Sequence, residues 1–113
     1  MLIATKHKLD NLIIIVDYNK IQALNTLDDA LPLNDLKSKF KAFNCNCINV
    51  KNGHSFKSII KALKNYKSNN KPTVIIVNTI KGKGIKEFEN NPVWHARKIS
   101  EKDLMIAEKR LKF

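Results

Sequence analysis

Leu12-Ile13-Ile14-Ile15-Val16-Asp17-Tyr18-Asn19-Lys20 sets a continuous β-branched run directly before a polar turn. Residues 12–16 fit a strand buried on both faces. Working outward, residues 45–50 (Cys-Asn-Cys-Ile-Asn-Val) and 73–79 (Thr-Val-Ile-Ile-Val-Asn-Thr) are two further strand candidates. Amphipathic stretches lie between them. Asn34 or Asp35 can cap a helix that carries Leu33, Leu36, Phe40 and Phe43 on one face. Asn52-Gly53 makes a turn, and Ser55 caps a helix with Phe56, Ile59, Ile60 and Leu63 on one side. Asn69 and Asn70 end that helix, and Pro72 prevents its continuation.

The remaining segments lack strand or helix periodicity until the end of the chain. Residues 21–32 read as a loop. A second loop, containing glycine and proline, runs from about residue 81 to residue 99. Ser100-Glu101-Lys102-Asp103 has a capping-box-like spacing and opens a last helix with Leu104, Ala107 and Leu111. Strand–helix alternation of this kind predicts an α/β fold, a three-layer and mostly parallel sheet with helices on both faces and right-handed crossovers. Three strands make a poor sheet for a whole domain of this class. Residues 1–113 are therefore read as a single partial domain, with the missing strands expected before Met1. Ligands of such sheets bind beyond the carboxyl ends of the strands. That rule selects Asp17-Tyr18-Asn19-Lys20-Ile21 and the loop from Lys81 onward.

Composition narrows the function classes. The chain has 113 residues, 43% of them hydrophobic, which supports a core and opposes disorder. No apolar run approaches the ~20 residues of a membrane helix. The opening Met-Leu-Ile-Ala-Thr-Lys-His-Lys is too short for a signal peptide, so a cytoplasmic protein is expected. The net charge is +11, from 21 basic and 10 acidic residues. Nearly all of the positive charge is lysine, scattered along the chain, whereas base readout favours clustered arginine forks. That argues against a nucleic-acid surface and leaves a general attraction for anionic ligands. Cys45 and Cys47 point to one face of their strand and lack a second Cys or His pair at zinc spacing, so they read as structural thiols.

Three places carry chemistry. Asp17 and Asn19, at a strand end, either supply oxygen ligands to a hard divalent cation or simply shape a turn. Lys81-Gly82-Lys83-Gly84 follows a strand directly; it is either a close-approach phosphate loop or a solvated one. It is neither a P-loop nor a G-x-G-x-x-G fingerprint. His95, after Trp94 on the ligand side, is either a ligand contact or a structural histidine. His7 and His54 have solvent-facing or capping contexts.

Read together and in order, these segments resemble the thiamine-diphosphate-binding domain of the transketolase family. The resemblance rests on His7 to Ile13 followed by Val16-Asp17-Tyr18-Asn19-Lys20, on Leu31-Pro32-Leu33 and Lys41-Ala42-Phe43, and on Thr79 to Gly84 and Asn90-Asn91-Pro92-Val93-Trp94-His95. The family signature opens with Gly-Asp-Gly and closes with an asparagine, where Asn19 stands. The resemblance implies that the Asn19 side chain and the Ile21 backbone carbonyl are ligands of a magnesium or calcium ion. It implies that Lys81 contacts thiamine diphosphate, and that His95 serves both cofactor and substrate as a catalytic residue. It further implies transfer of a two-carbon ketol unit between sugar phosphates, as in the pentose phosphate pathway. Family members are dimers with sites at subunit interfaces, so a homodimer, or a heterotetramer of split subunits, is expected for the complete enzyme.

The chain departs from the pattern in several places, and the residues that bind the far end of the sugar phosphate are among those missing. Gly-Asp-Gly, with its metal-binding aspartate, is absent, and the glutamate that activates the thiamine ring belongs to a separate pyrimidine-binding domain or subunit. The chain is therefore expected to hold one wall of the diphosphate site and to be inactive alone. A related thiamine enzyme, deoxyxylulose-phosphate synthase, is the sister reading. A non-catalytic basic α/β module binding nucleic acid or protein is the alternative from another class.

Overall fold

The structure is a computed structural model that describes residues 1–23 and 25–111. In chain order it contains α1 (Leu2–Lys6), β1 (Ile13–Tyr18), α2 (Leu27–Ala30), α3 (Leu36–Ala42), β2 (Asn46–Val50), α4 (Phe56–Lys64), β3 (Thr73–Asn78) and α5 (Glu101–Leu111), with a 3₁₀ turn at Pro92–His95. The chain forms two compact units. One is Met1–Tyr18 with Leu33–Thr79; the other is Asn19–Pro32 with Ile80–Phe113. Among the described residues no helix is long and apolar enough to cross a membrane.

The first unit is the sheet. β3 lies between β1 and β2, and both pairings are parallel. A central parallel strand has no solvated face, which is why Thr-Val-Ile-Ile-Val suits it. Val74 and Ile75 are 0% and 2% exposed. Ile75 and Val77 pack with Val50 and with Ala62 of α4 on one face. Val74 and Ile76 pack with Ile14, Val16, Leu36 and Phe40 on the other, so helices cover both faces as expected. The two crossovers run in opposite directions across the sheet and use opposite faces, as two crossovers of one hand must. Cys45 and Cys47 share the α3 face and are free thiols, and burial pushes both upward in pKa.

Sequence expectation and structure part at several points. β1 is not buried on both faces: it is an edge strand, and Ile13 and Ile15 are 36% and 58% exposed. Hydrophobicity states what a strand can bury, not what lies over it. Residues 21–32 are not a featureless loop, because Thr26 caps α2 with its side chain. A four-residue helix is too short for a periodicity to register. α4 ends at Lys64, not at Asn69 and Asn70; the Asn65 N–H turns back to the Lys61 and Ala62 carbonyls. Asn70 instead takes a left-handed conformation and donates its N–H to Asp10. Asp35, not Asn34, caps α3, and Ser55 caps α4 as expected. Phe56 and Ile60 of α4 stay exposed, as do Leu104 and Leu111 of α5.

Candidate functional site

All four nominated residues, Asn19, Ile21, Lys81 and His95, fall in the second compact unit. It is built from the chain that continues beyond Tyr18 and beyond Thr79, after the paired carboxyl ends of β1 and β3.

Asn19 opens an Asx turn. Its side-chain oxygen accepts the Ile21 N–H at 2.9 Å, with Lys20 between them at φ +62°. A left-handed lysine is uncommon, and it is held here by the bonds on either side of it. Ile21 bridges Thr26 in antiparallel fashion. The bridging bonds run from the Leu27 N–H to the Lys20 carbonyl and from the Gln22 N–H to the Asn25 carbonyl. In such a pair the N–H and C=O of Ile21 both point away from Thr26. The Ile21 carbonyl therefore lies on the same side as the Asn19 oxygen. Thr26 secures the bridge by accepting the Asp29 N–H and donating its hydroxyl to the Asp29 carboxylate at 2.6 Å. Thr26-Leu27-Asp28-Asp29 has the spacing of a capping box, a signal that reading residues 21–32 as a loop overlooked.

Asp17 is placed differently. In the sheet unit its carboxylate accepts the Thr79 hydroxyl. Of the two reasons for a polar strand end, Asp17 serves the structural one.

The loop after β3 is tightly folded. The Asn90 N–H closes it on the Lys81 carbonyl at 3.0 Å. Gly82 has φ +74°, and a Cβ there would stand 2.5 Å from the Phe88 carbonyl oxygen, so only glycine fits. Lys83 pairs with Glu89 at 3.1 Å, while Lys81, half-buried, forms no ion pair among the described residues. The Asn91 side chain accepts the Val93 N–H and starts the 3₁₀ turn that carries Trp94 and the exposed His95. Trp94 stacks on Phe88 with ring centroids 4.0 Å apart, and the Arg97 guanidinium lies 4.6 Å from the Trp94 ring centroid. Arg97 reaches Asp103, which is 6% exposed and also receives the Ser100 hydroxyl and N–H. The Ser100 hydroxyl, then its N–H and the Arg97 charge, hold the Asp103 carboxyl below its ordinary range.

The whole chain, residues 1–113, matches the family model described as transketolase, thiamine diphosphate binding domain. The chain belongs to this family. One subunit of the apulose-4-phosphate transketolase of Actinobacillus succinogenes is 37% identical over 98% of the chain and 40% of its own length. A 6-deoxy-6-sulfo-D-fructose transketolase subunit of a Clostridium species is 36% identical over 83% of the chain and 34% of its own. Transketolase from Campylobacter jejuni superposes with a TM-score of 0.87 at 32% identity, over 99% of the chain and 17% of that structure. The transketolase-family chain thus spans two fifths or less of the length of these relatives.

The donor set can be tested against the ion that such a domain implies. Asn19 and Ile21 offer hard, neutral oxygens on one side of a fixed turn, which suits Mg²⁺ or Ca²⁺. They are two donors where these ions take six or more. Among the described residues no group of three or more His, Cys, Asp or Glu could hold a metal. The residues present fit part of a site.

Proposed function

We propose that the chain is the later half of the diphosphate-binding domain of a transketolase-type transferase, and that it supplies part of the metal–diphosphate site. The observation that carries this reading is the Asn19 turn, whose side-chain oxygen and the Ile21 carbonyl face one side. Asn19 and Ile21 are assigned to the divalent ion, Mg²⁺ or Ca²⁺. Lys81 and His95 are assigned to the diphosphate, Lys81 as a point charge and His95 as a donor that also reaches the sugar phosphate. Thiamine diphosphate supplies the carbanion chemistry of two-carbon ketol transfer when bound. The chain's residues hold and orient it, and no residue here acts as the ring-activating base. The partners are a segment bearing the Gly-Asp-Gly aspartate and a pyrimidine-binding domain or subunit, in a homodimer or a heterotetramer. The Actinobacillus relative is itself one subunit of its enzyme, which supports a split-subunit arrangement. The uncovered Ile13 and Ile15 on edge strand β1 support a covering partner.

Calorimetry tests the reading in two steps. The isolated chain should show no micromolar binding of thiamine diphosphate with Mg²⁺, because two donors leave most of the ion's coordination unfilled. Once assembled with the segments it lacks, the protein should bind the pair, and Asn19→Ala should weaken cofactor and metal together. Tight one-to-one binding by the chain alone, or unchanged metal-dependent affinity in the variant, would overturn the assignment.

A further inference from the structure

Lys81 and His95 lie in the 22-residue segment between β3 and α5, which has no strand or long helix, yet a phosphate contact needs both side chains held to within a fraction of an ångström. The second unit contains a continuous support for them. Asp103, in the first turn of α5, is buried and takes three donors on one carboxylate oxygen: Arg97 at 2.8 Å, the Ser100 N–H at 3.0 Å and the Ser100 hydroxyl at 2.6 Å. Ser100 suffices to cap α5, so the Arg97 bond is additional to capping. Arg97 in turn covers Trp94, Trp94 stacks on Phe88, and the Phe88 backbone sits where Gly82 leaves no room for a Cβ. Trp94 adjoins His95, and Gly82 adjoins Lys81.

We infer that Arg97 and Asp103 are positioning residues, and that the series Asp103–Arg97–Trp94–Phe88–Gly82 sets His95 and Lys81 as one arm. This rests on the assignment of those two residues to the diphosphate. The planarity of the guanidinium is what the series requires. A lysine could still meet Asp103 as a point charge, but it could not lie flat on an indole.

Trp94 is the only tryptophan, so its emission reports the arm directly. In the full chain, Arg97→Lys should leave the circular dichroism spectrum unchanged. It should raise acrylamide quenching of Trp94 about two- to five-fold, the population change carried by an exposed cation–π contact. Amide hydrogen exchange at His95 should accelerate alongside. Asp103→Asn should act in the same direction, and the double variant should exceed neither single one by much, since both break one series. Ser100→Ala, which removes the cap and leaves the stack, should loosen α5 more than Trp94. If Arg97→Lys and Arg97→Met both leave Trp94 quenching and His95 exchange unchanged, the inference fails. The underlying site assignment fails separately, if His95→Gln and Lys81→Met leave cofactor affinity of the assembled enzyme intact.

Discussion

Gly53→Ala should destabilise the sheet unit by about 2 kcal/mol, and the structure shows where that figure originates. The Gly53 N–H donates to the Asn78 carbonyl at 2.7 Å. A Cβ on residue 53 would lie 2.4 Å from Val77 Cγ1, 2.6 Å from Thr79 Cγ2 and 2.8 Å from the Asn78 oxygen. Val77 is 6% exposed in the central strand and cannot swing aside, so the turn must withdraw. Restoring carbon contacts of about 3.5 Å takes a shift of roughly 1 Å. That shift stretches the Gly53–Asn78 bond beyond hydrogen-bonding range. The lost bond costs about 1 kcal/mol and the overpacking about 2. The reduced freedom of the unfolded chain offsets roughly 0.7 of this. With a urea slope of about 1.5 kcal/mol/M, the unfolding midpoint should fall by roughly 1.3 M. Val77→Ala removes the nearest clashing atom, so the Gly53→Ala/Val77→Ala pair should lose less than the sum of the single variants. A midpoint shift below about 0.3 M, or strict additivity of the pair, would refute the steric reasoning.

Two other outcomes are expected. Asp103 has a depressed pKa, so its contribution to stability is present above the ordinary carboxylate value and is lost as pH falls through the folded value. The wild-type chain should therefore lose more stability than Asp103→Asn when urea melts are compared between about pH 5 and pH 2.5; equal losses would show that the carboxylate carries no linkage. Burial raises both thiols, so iodoacetamide at neutral pH should label them slowly, Cys47 before the more buried Cys45, with urea accelerating both. Rapid labelling of Cys45 in the native chain would contradict its place in the α3-side core.

Two strands were legible because β-branched runs leave little else for residues 13–18 and 73–78 to form, and residues 46–50 because Ile48 and Val50 alternate with polar residues between two helical stretches. The starts of α3, α4 and α5 were legible because Asp35, Ser55 and Ser100 are capping residues at the right distance from apolar stripes, whereas the Thr26 start of α2 was missed for want of a stripe. The exposure of Ile15 was not, since no local pattern records whether a neighbouring element lies over a face. Nor was the Arg97–Trp94 stack: its residues are three apart, as helical neighbours are, but they lie in a segment whose sequence carries no helical periodicity. Asn19 occupies a middle position. Its residue type and place at a strand end allow a turn or an ion ligand equally, and the Asx turn that the structure shows serves both. Only the family resemblance assigned it to metal.

On the proposed reading, the two shortfalls of the chain have one origin. Among the described residues β1 has no neighbour on its outer edge, and Ile13 and Ile15 are exposed. The ligand pair that follows β1 lacks a carboxylate. Met1, at the start of α1, packs on the same face of the sheet as α3. A crossover through α1 must then step across the sheet in the same direction as the one through α3, from β1 toward β2. A strand that leads into α1 in a longer transketolase chain therefore falls on the free edge of β1. Its carboxyl end stands beside the strand end from which Asn19 continues, where ligands of parallel sheets gather. Two neutral oxygens leave most of the coordination of a divalent ion open, and an acid at that strand end would suit a hard cation. Sheet topology and ion chemistry, argued separately, ask for the same segment in the same place.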